Sequence, residues 1–283
     1  MRFLAGIVYM RRLIAHINFF VTNPYAQKGG KTMSLNEGYK NEEYLINAIN
    51  NKKYDELTPN LQRFIHMLFP NIDRNKKFKC FQAEEYTKPD IVICYGEKSF
   101  YVSVKHGTAE NVHEEKIDSF IEFLKENGID NFTIESYKLF QYGDGTTDGT
   151  GEKRMSNFEV RVKYDERIRA MNQKFNESKV FVKAFAERVV FQGVNQLAVP
   201  ASILYHGDED QGSFISKNQL LRHIELRRWD YMESVVHIGP FVLRPKGRYP
   251  DKEVKYPEFR HRVVVSYPRL LGDILYIFSK YRF

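Results

Sequence analysis

Between Lys88 and Gly107 the chain reads KPDIVICYGEKSFYVSVKHG, two short runs of β-branched and aromatic residues broken by a glycine turn. No other stretch constrains the fold as tightly. Such residues suit a pleated, half-buried surface, and so brief a break between two runs predicts a hairpin. The expected strands are Ile91 to Tyr95 and Phe100 to Val104, joined by Gly96-Glu97-Lys98. Side chains alternate along a strand, so Ser103 and Lys105 share one face while Val102 and Val104 take the other. With Pro89 leading Asp90 into the first strand, the hairpin carries the Asp90 carboxylate toward Ser103 and Lys105.

A carboxylate beside an ammonium is minimal equipment for metal-assisted phosphodiester hydrolysis, in which a cation neutralises the phosphate and acidifies an attacking water. Asp90 is then the candidate metal ligand, and Lys105 the group that positions or helps deprotonate the water. Magnesium suits so sparse a set, since it prefers hard oxygens, keeps several waters and needs one or two carboxylates. The plainer alternative is an Asp90 that only starts a strand and a Lys105 that is solvated. Upstream, Asn36 to Asn50 (NEGYKNEEYLINAIN) predicts a helix in which Glu42 shares a face with Leu45, Ile46 and Ile49. A carboxylate directed inward needs a cation or a lysine, unless it reaches water from the flank of that face. Glu43, with Asn47 and Asn50 on its side, is the weaker choice.

GYKNE on a first helix, PD opening a strand and SVK ending the next together resemble the PD-(D/E)xK nuclease superfamily, in particular the small MspI-like type II restriction endonucleases. Later segments resemble that group in order and character: helical Lys179 to Gln192, strand-like Ser202 to Tyr205, helical Ser216 to Arg227, and the basic turn Arg244-Pro245-Lys246-Gly247-Arg248 before Val263 to Tyr267. The resemblance spans about Asn36 to the end of the chain. It implies an α/β fold, a restriction-endonuclease-like mixed β-sheet core flanked by helices, with a basic C-terminal DNA-binding elaboration. It further implies a magnesium-dependent enzyme cutting double-stranded DNA at a short sequence, with a DNA methyltransferase encoded nearby. The chain departs from the pattern at Ser103, where the usual motif has Asp or Glu as a second ligand. The resemblance implies a tolerated variant, Ser103 bonding a metal-bound water or ligand while Glu42, or Glu110 and Glu114 on an expected helix from Glu110 to Asn127, supplies charge. Glu84 and Glu85 are reserve ligands. The alternatives are a repair or recombination nuclease of the same fold and an inactive DNA-binding module.

Charge distribution agrees with a polyanionic partner. From Ile215 to Phe283 there are 14 Lys and Arg against 7 Asp and Glu, an excess equal to the +7 of the whole chain, whereas Ser34 to Phe214 carries −5. A polyanion would be drawn to that last quarter, with salt-sensitive affinity. Arg227, Arg228, Arg244, Lys246 and Arg248 are the expected DNA contacts. Arginine there either grips phosphate or reads a guanine edge. Arg222 is the structural one, with Glu225 and Leu226 following on its helical surface.

With 283 residues and 42% hydrophobic content, one large domain is favoured over two small ones. Residues 34–142 form the expected catalytic core and 152–283 the helical, DNA-recognising part, separated by the mobile surface loop GDGTTDGTG. Cys80 and Cys94 read as small core residues of a reduced cytoplasm, and no zinc spacing occurs. His106 follows the motif but leaves the face of Lys105. The first 33 residues, apolar but interrupted by Arg11, Arg12 and His16, predict neither a membrane span nor a signal peptide and read as a dispensable arm. The chain is expected to act as a monomer or a homodimer.

Overall fold

The computed structural model describes residues 35–85, 87–107, 110–227, 229, 235–248 and 255–281, and side chains from Lys40 onward. The N-terminal arm and Arg228 lie outside these residues. The chain divides into Met1–Glu37 and Gly38–Phe283, and the second unit holds everything discussed below.

The expected hairpin forms and pins the first sheet. Strand β2 (Ile91–Tyr95) turns through Gly96 and Glu97 into β3 (Lys98–Lys105), with Ile91 opposite Val102 and Tyr95 opposite Lys98. Gly96 sits at φ +61°, the left-handed conformation that a two-residue hairpin turn asks of its first position. On one side β2 pairs with β1 (Lys79–Gln82); on the other β3 runs parallel to β5 (Ile203–Gly207), and β6 (Gly212–Ser216) closes the order β1-β2-β3-β5-β6. A parallel neighbour requires a long crossover. Here the crossover holds β4 (Asn111–Lys116) and the helices α3 (Ile117–Glu126), α4 (Asn131–Tyr142), α5 (Asn157–Lys163), α6 (Asp165–Glu177) and α7 (Lys179–Glu187), the last continued by a π-helical turn, Arg188–Gln192. Strand β4 begins a second, antiparallel sheet with β7 (His237–Ile238), β8 (Phe241–Pro245) and β9 (Arg262–Ser266), in the order β4-β9-β8-β7.

Two cores hold the layers. One face of the first sheet presents Ile91, Ile93, Val102, Val104, Tyr205 and Phe214 to α1 (Leu35–Ile49) and α2 (Pro59–Leu68). Its other face sends Leu204 and Ile215 into a larger core shared with the second sheet, α3 to α7, α8 (Lys217–Leu226) and α9 (Leu270–Tyr281). The result is the expected mixed α/β architecture, a mixed sheet flanked by helices. Local chemistry sets the helix starts. Thr58 Oγ1 accepts from the Leu61 amide ahead of Pro59, and Ser216 and Gln219 form a reciprocal capping box.

Several expected elements differ. Glu110 to Asn127 is not one helix but β4 followed by α3, because β9 offers a ladder along Asn111 to Lys116 and Glu115 is buried against a cation rather than solvated. Helices α5 and α6 are separated at Tyr164, where the acidic pair Asp165-Glu166 starts a new first turn. The last helix buries Leu270, Ile274 and Ile277 and leaves Leu271 and Leu275 at the surface, since its inward face also brings Asp273 to Arg227. The GDGTTDGTG segment is held by its own aspartates: Asp144 accepts from Thr146 and the Gly151 amide, Asp148 from Thr150. Cys80 is a core residue as expected, but Cys94 is only half-buried.

The β5–β6 hairpin supplies a test of the packing. The Tyr205 hydroxyl, fixed by Asn60 Nδ2 (2.8 Å) and the Asp208 carbonyl (2.5 Å), lies where a side chain on Gly212 would begin, 2.0 Å from an added Cβ. Gly212→Ala is expected to destabilise the fold by about 1–3 kcal/mol, the cost of overpacking a filled site, measured by urea unfolding.

Candidate active site

Asp90 stands where the β2 ladder ends. Its amide donates to the Val102 carbonyl (2.9 Å) and its carbonyl accepts from the Ala83 amide (3.1 Å), so its backbone belongs to the sheet. One side-chain oxygen, Oδ2, accepts from three consecutive residues of β3: Ser103 Oγ at 3.1 Å, the Val104 amide at 2.5 Å and Lys105 Nζ at 3.4 Å. Lys105 Nζ also donates to the Val104 carbonyl at 2.8 Å. Ser103 is wholly buried, and its hydroxyl is spent on Asp90. Of the partners expected for it, a metal-bound water or a metal ligand, the hydrogen bond formed is to Asp90, the candidate ligand.

Glu42 joins this group from α1. Its Oε2 accepts from Gln82 Nε2 (3.0 Å) at the end of β1. Burial, reinforced by the negative charge of Asp90, pushes its carboxyl up to about 7, against the opposing pull of Gln82 and Lys105. The structure therefore brings Asp90, Ser103, Lys105 and Glu42 together, on elements from three parts of the sequence. Among the described residues no group of three or more His, Cys, Asp or Glu could hold a metal. Asp90 and Glu42 nonetheless fit a hard divalent cation. Each leaves one oxygen without a donor among the described residues, and two mutually repelling carboxylates are what a cation that retains its waters requires. Glu84 and Glu85 are exposed. Glu114 and Glu110 are engaged elsewhere: Glu114 holds Lys246 (2.7 Å) and Arg262, and Glu110 lies 3.5 Å from Arg244.

Behind Asp90 lies a charged network that the sequence reading missed. Lys88 turns its ammonium inward to the Val112 carbonyl at 2.6 Å; burial first, and then the charge of Lys105, push it down to about 7. Arg188 grips the buried Glu115 with two hydrogen bonds, Nε at 3.2 Å and Nη2 at 2.6 Å, and His113 Nε2 lies 3.3 Å from the same carboxylate. Burial alone would raise Glu115, but His113 and Arg188 hold it below the ordinary glutamate value. Only the position of Lys88 beside Pro89-Asp90 could have signalled this group. His106, expected to leave the face of Lys105, buries its Nδ1 without a hydrogen-bond partner among the described residues.

The basic residues separate into two kinds. Arg244 is exposed at the end of β8, and half-buried Lys246 lies 4.2 Å from the Phe259 ring centre as well as against Glu114. Arg227 is tied by Nη1 to Asp273 Oδ1 (2.7 Å). Arg248 departs from the expectation of a DNA contact: it is 5% exposed, and its guanidinium donates to the Phe140 and Gln141 carbonyls at the C-terminus of α4 and to Asn157. Arg222 is exposed, and Glu225 approaches Lys183 (3.6 Å). A concavity of about 640 Å³ formed by described residues lies beside Asn172, Trp229 and His237 and holds none of the four converging residues.

No protein-family model matches this chain, and no curated protein does. Among solved structures, that of the restriction endonuclease MspI in complex with its cognate DNA is similar, with a TM-score of 0.45 and 10% identity over 79% of this chain and 86% of that one. No helix among the described residues is long and apolar enough to cross a membrane.

Removing one partner of the Glu115–Arg188 pair leaves the other charge buried, so Glu115→Ala is expected to destabilise the fold by about 3–5 kcal/mol. Because Glu115 is depressed in the folded state, its contribution is fully present above the unfolded glutamate pKa and is lost as pH falls through the folded one. Urea midpoints of wild type and Glu115→Ala should therefore converge in acid and diverge toward neutrality.

Proposed function

We propose that this protein is a divalent-metal-dependent DNA endonuclease, and specifically a type II restriction enzyme that cuts duplex DNA at a short sequence using Mg2+. One observation carries the reading: a clamped carboxylate, an ammonium and a second carboxylate of raised pKa meet at the ends of two neighbouring strands. Phosphodiester hydrolysis uses that combination, and a structural salt bridge does not need the second acid. A cation held by Asp90 and Glu42 would supply charge neutralisation and a more acidic water. The chain does the rest. Ser103 and the Val104 amide fix the Asp90 carboxylate in direction. Lys105, anchored on the Val104 carbonyl, orients the attacking water and offsets charge on the phosphate. Arg244 and Lys246, on β8 and its turn, contact the duplex, with Arg227 and Arg228 as further phosphate contacts; the buried Arg248 is a support for that turn.

Supercoiled plasmid incubated with Mg2+ tests the reading directly. Discrete fragments are expected; untargeted nicking would make the protein a general nuclease, and retention of DNA without cutting an inactive binding module. Asp90→Ala and Lys105→Ala should each slow cleavage by about a thousandfold, or about 4 kcal/mol of barrier, while retaining DNA in a gel-shift assay.

The basic residues divide by assay. Arg244→Ala and Lys246→Ala should each weaken duplex binding and flatten its salt dependence by about one unit of log-log slope. Arg248→Ala should instead cost about 1–3 kcal/mol in thermal or urea unfolding, since it strips donors from buried carbonyls.

A further inference from the structure

We propose that Asn41 and Gln82 are positioning residues that hold Glu42 where it shares a divalent cation with Asp90. The proposal rests on the nuclease reading above and deepens its metal site by two residues that touch no metal themselves. Asp90 is tied to the first sheet through its own backbone, whereas Glu42 stands on α1, outside the sheet. A cation held by two carboxylates needs them at a fixed separation, so the helix must be fixed against the sheet. Leu45 and Ile49 seat α1 in the core, but apolar contact gives a helix no single direction. Directed bonds have to do that.

Two such bonds flank the carboxylate. Asn41, 5% exposed, donates from Nδ2 to the Gly207 carbonyl at 3.1 Å, at the last residue of β5. That carbonyl is a firm anchor: Gly207 has φ +123°, and an added Cβ would stand 2.1 Å from the Gln211 carbonyl oxygen, so only glycine fits the turn. The same hairpin is held to α2 by Thr58 Oγ1, which donates to the Glu209 carbonyl at 2.5 Å. The residue before Gly207, His206, lies opposite Lys105 in the parallel β3–β5 pair. Asn41 therefore ties the helix of Glu42 to the strand beside Lys105. Gln82 closes β1 opposite Ile91, the residue after Asp90, and its Nε2 donates to Glu42 Oε2 at 3.0 Å. Its chain neighbour Ala83 donates to the Asp90 carbonyl at 3.1 Å. Water would serve the exposed Gln82 amide as well, so its bond adds little stability and acts on the direction of Glu42. With Oε2 so held, Oε1 is the oxygen left for a cation.

Mn2+ binding to the full chain without DNA, followed by the electron paramagnetic resonance of the free ion, is the test. Gln82→Ala and Asn41→Ala should each weaken Mn2+ affinity by about tenfold or more, as loss of a group that orients a ligand does. The urea midpoint of Gln82→Ala should match wild type, and that of Asn41→Ala should fall. A merely structural role would lower the midpoint and leave the affinity of the folded protein unchanged. Glu42→Gln supplies the second measurement: if both residues act through Glu42, adding either substitution to it should weaken Mn2+ binding no further. Unchanged affinity in Gln82→Ala, further loss in the Glu42→Gln background, or no Mn2+ binding by wild type overturns the proposal, and Gln82→Ala, at an exposed position, decides it even if Asn41→Ala does not fold. Should wild type bind Mn2+ and cut no DNA, the nuclease reading fails by itself, and the affinities still decide how Glu42 is held.

Discussion

One oxygen atom organises the centre of this protein. Strand β2 stops at Asp90, so the Val104 amide on β3 lies beyond the last ladder rung that β2 can supply, and a buried amide must find an acceptor. The Asp90 side chain provides it, and by turning along the strand end it also meets Ser103 Oγ and Lys105 Nζ. The same bonds that complete the sheet therefore fix the direction of the carboxylate. All three donors meet Oδ2, which leaves the other oxygen of Asp90 without a donor among the described residues. Because β3 pairs in parallel with β5, with Lys105 beside His206, the strand carrying the clamp is supported on both edges. A site built this way is rigid before anything binds.

Net charge marked the C-terminal quarter correctly as basic but could not say which cations face water. The guanidinium of Arg248 and that of Arg154 both converge on carbonyls at the end of α4, Arg154 Nε reaching the Tyr142 carbonyl at 2.7 Å. Cations belong at a helix C-terminus, where unsatisfied carbonyls and the helix dipole favour them. On the second sheet, Glu114 binds Lys246 and Arg262, partners more than a hundred residues away in sequence. Surface pairs of this kind contribute little to stability. Their effect is to hold flexible side chains in one orientation and to lower the local positive field that a count of residues would suggest.

Legibility followed distance along the chain. The hairpin and the meeting of Asp90 with Lys105 both arise from patterns within about twenty residues, and they were readable because turn chemistry and alternation act at that range. Glu42 was readable for a different reason: a carboxylate on the apolar face of a helix is conspicuous, even though its neighbours Gln82 and Asp90 come from other elements. Ser103 was readable in part: parity placed its hydroxyl on the face of Lys105, but that it meets the Asp90 ligand rather than a water depends on how far the Asp90 side chain turns along the strand end.

The misread elements have a common cause in buried charge. Periodicity assigns polar residues to water, so Glu115 made β4 look like a helix face, and Asp273 on α9 is likewise a polar residue turned inward. Each is tolerated only because its partner arrives from elsewhere: Arg188 lies 73 residues from Glu115, and Arg227 lies 46 from Asp273. An isolated buried charge would cost more than most single contacts return. A pair from distant segments therefore does what an apolar contact cannot, since an unmatched approach of the two segments leaves a bare charge and is rejected.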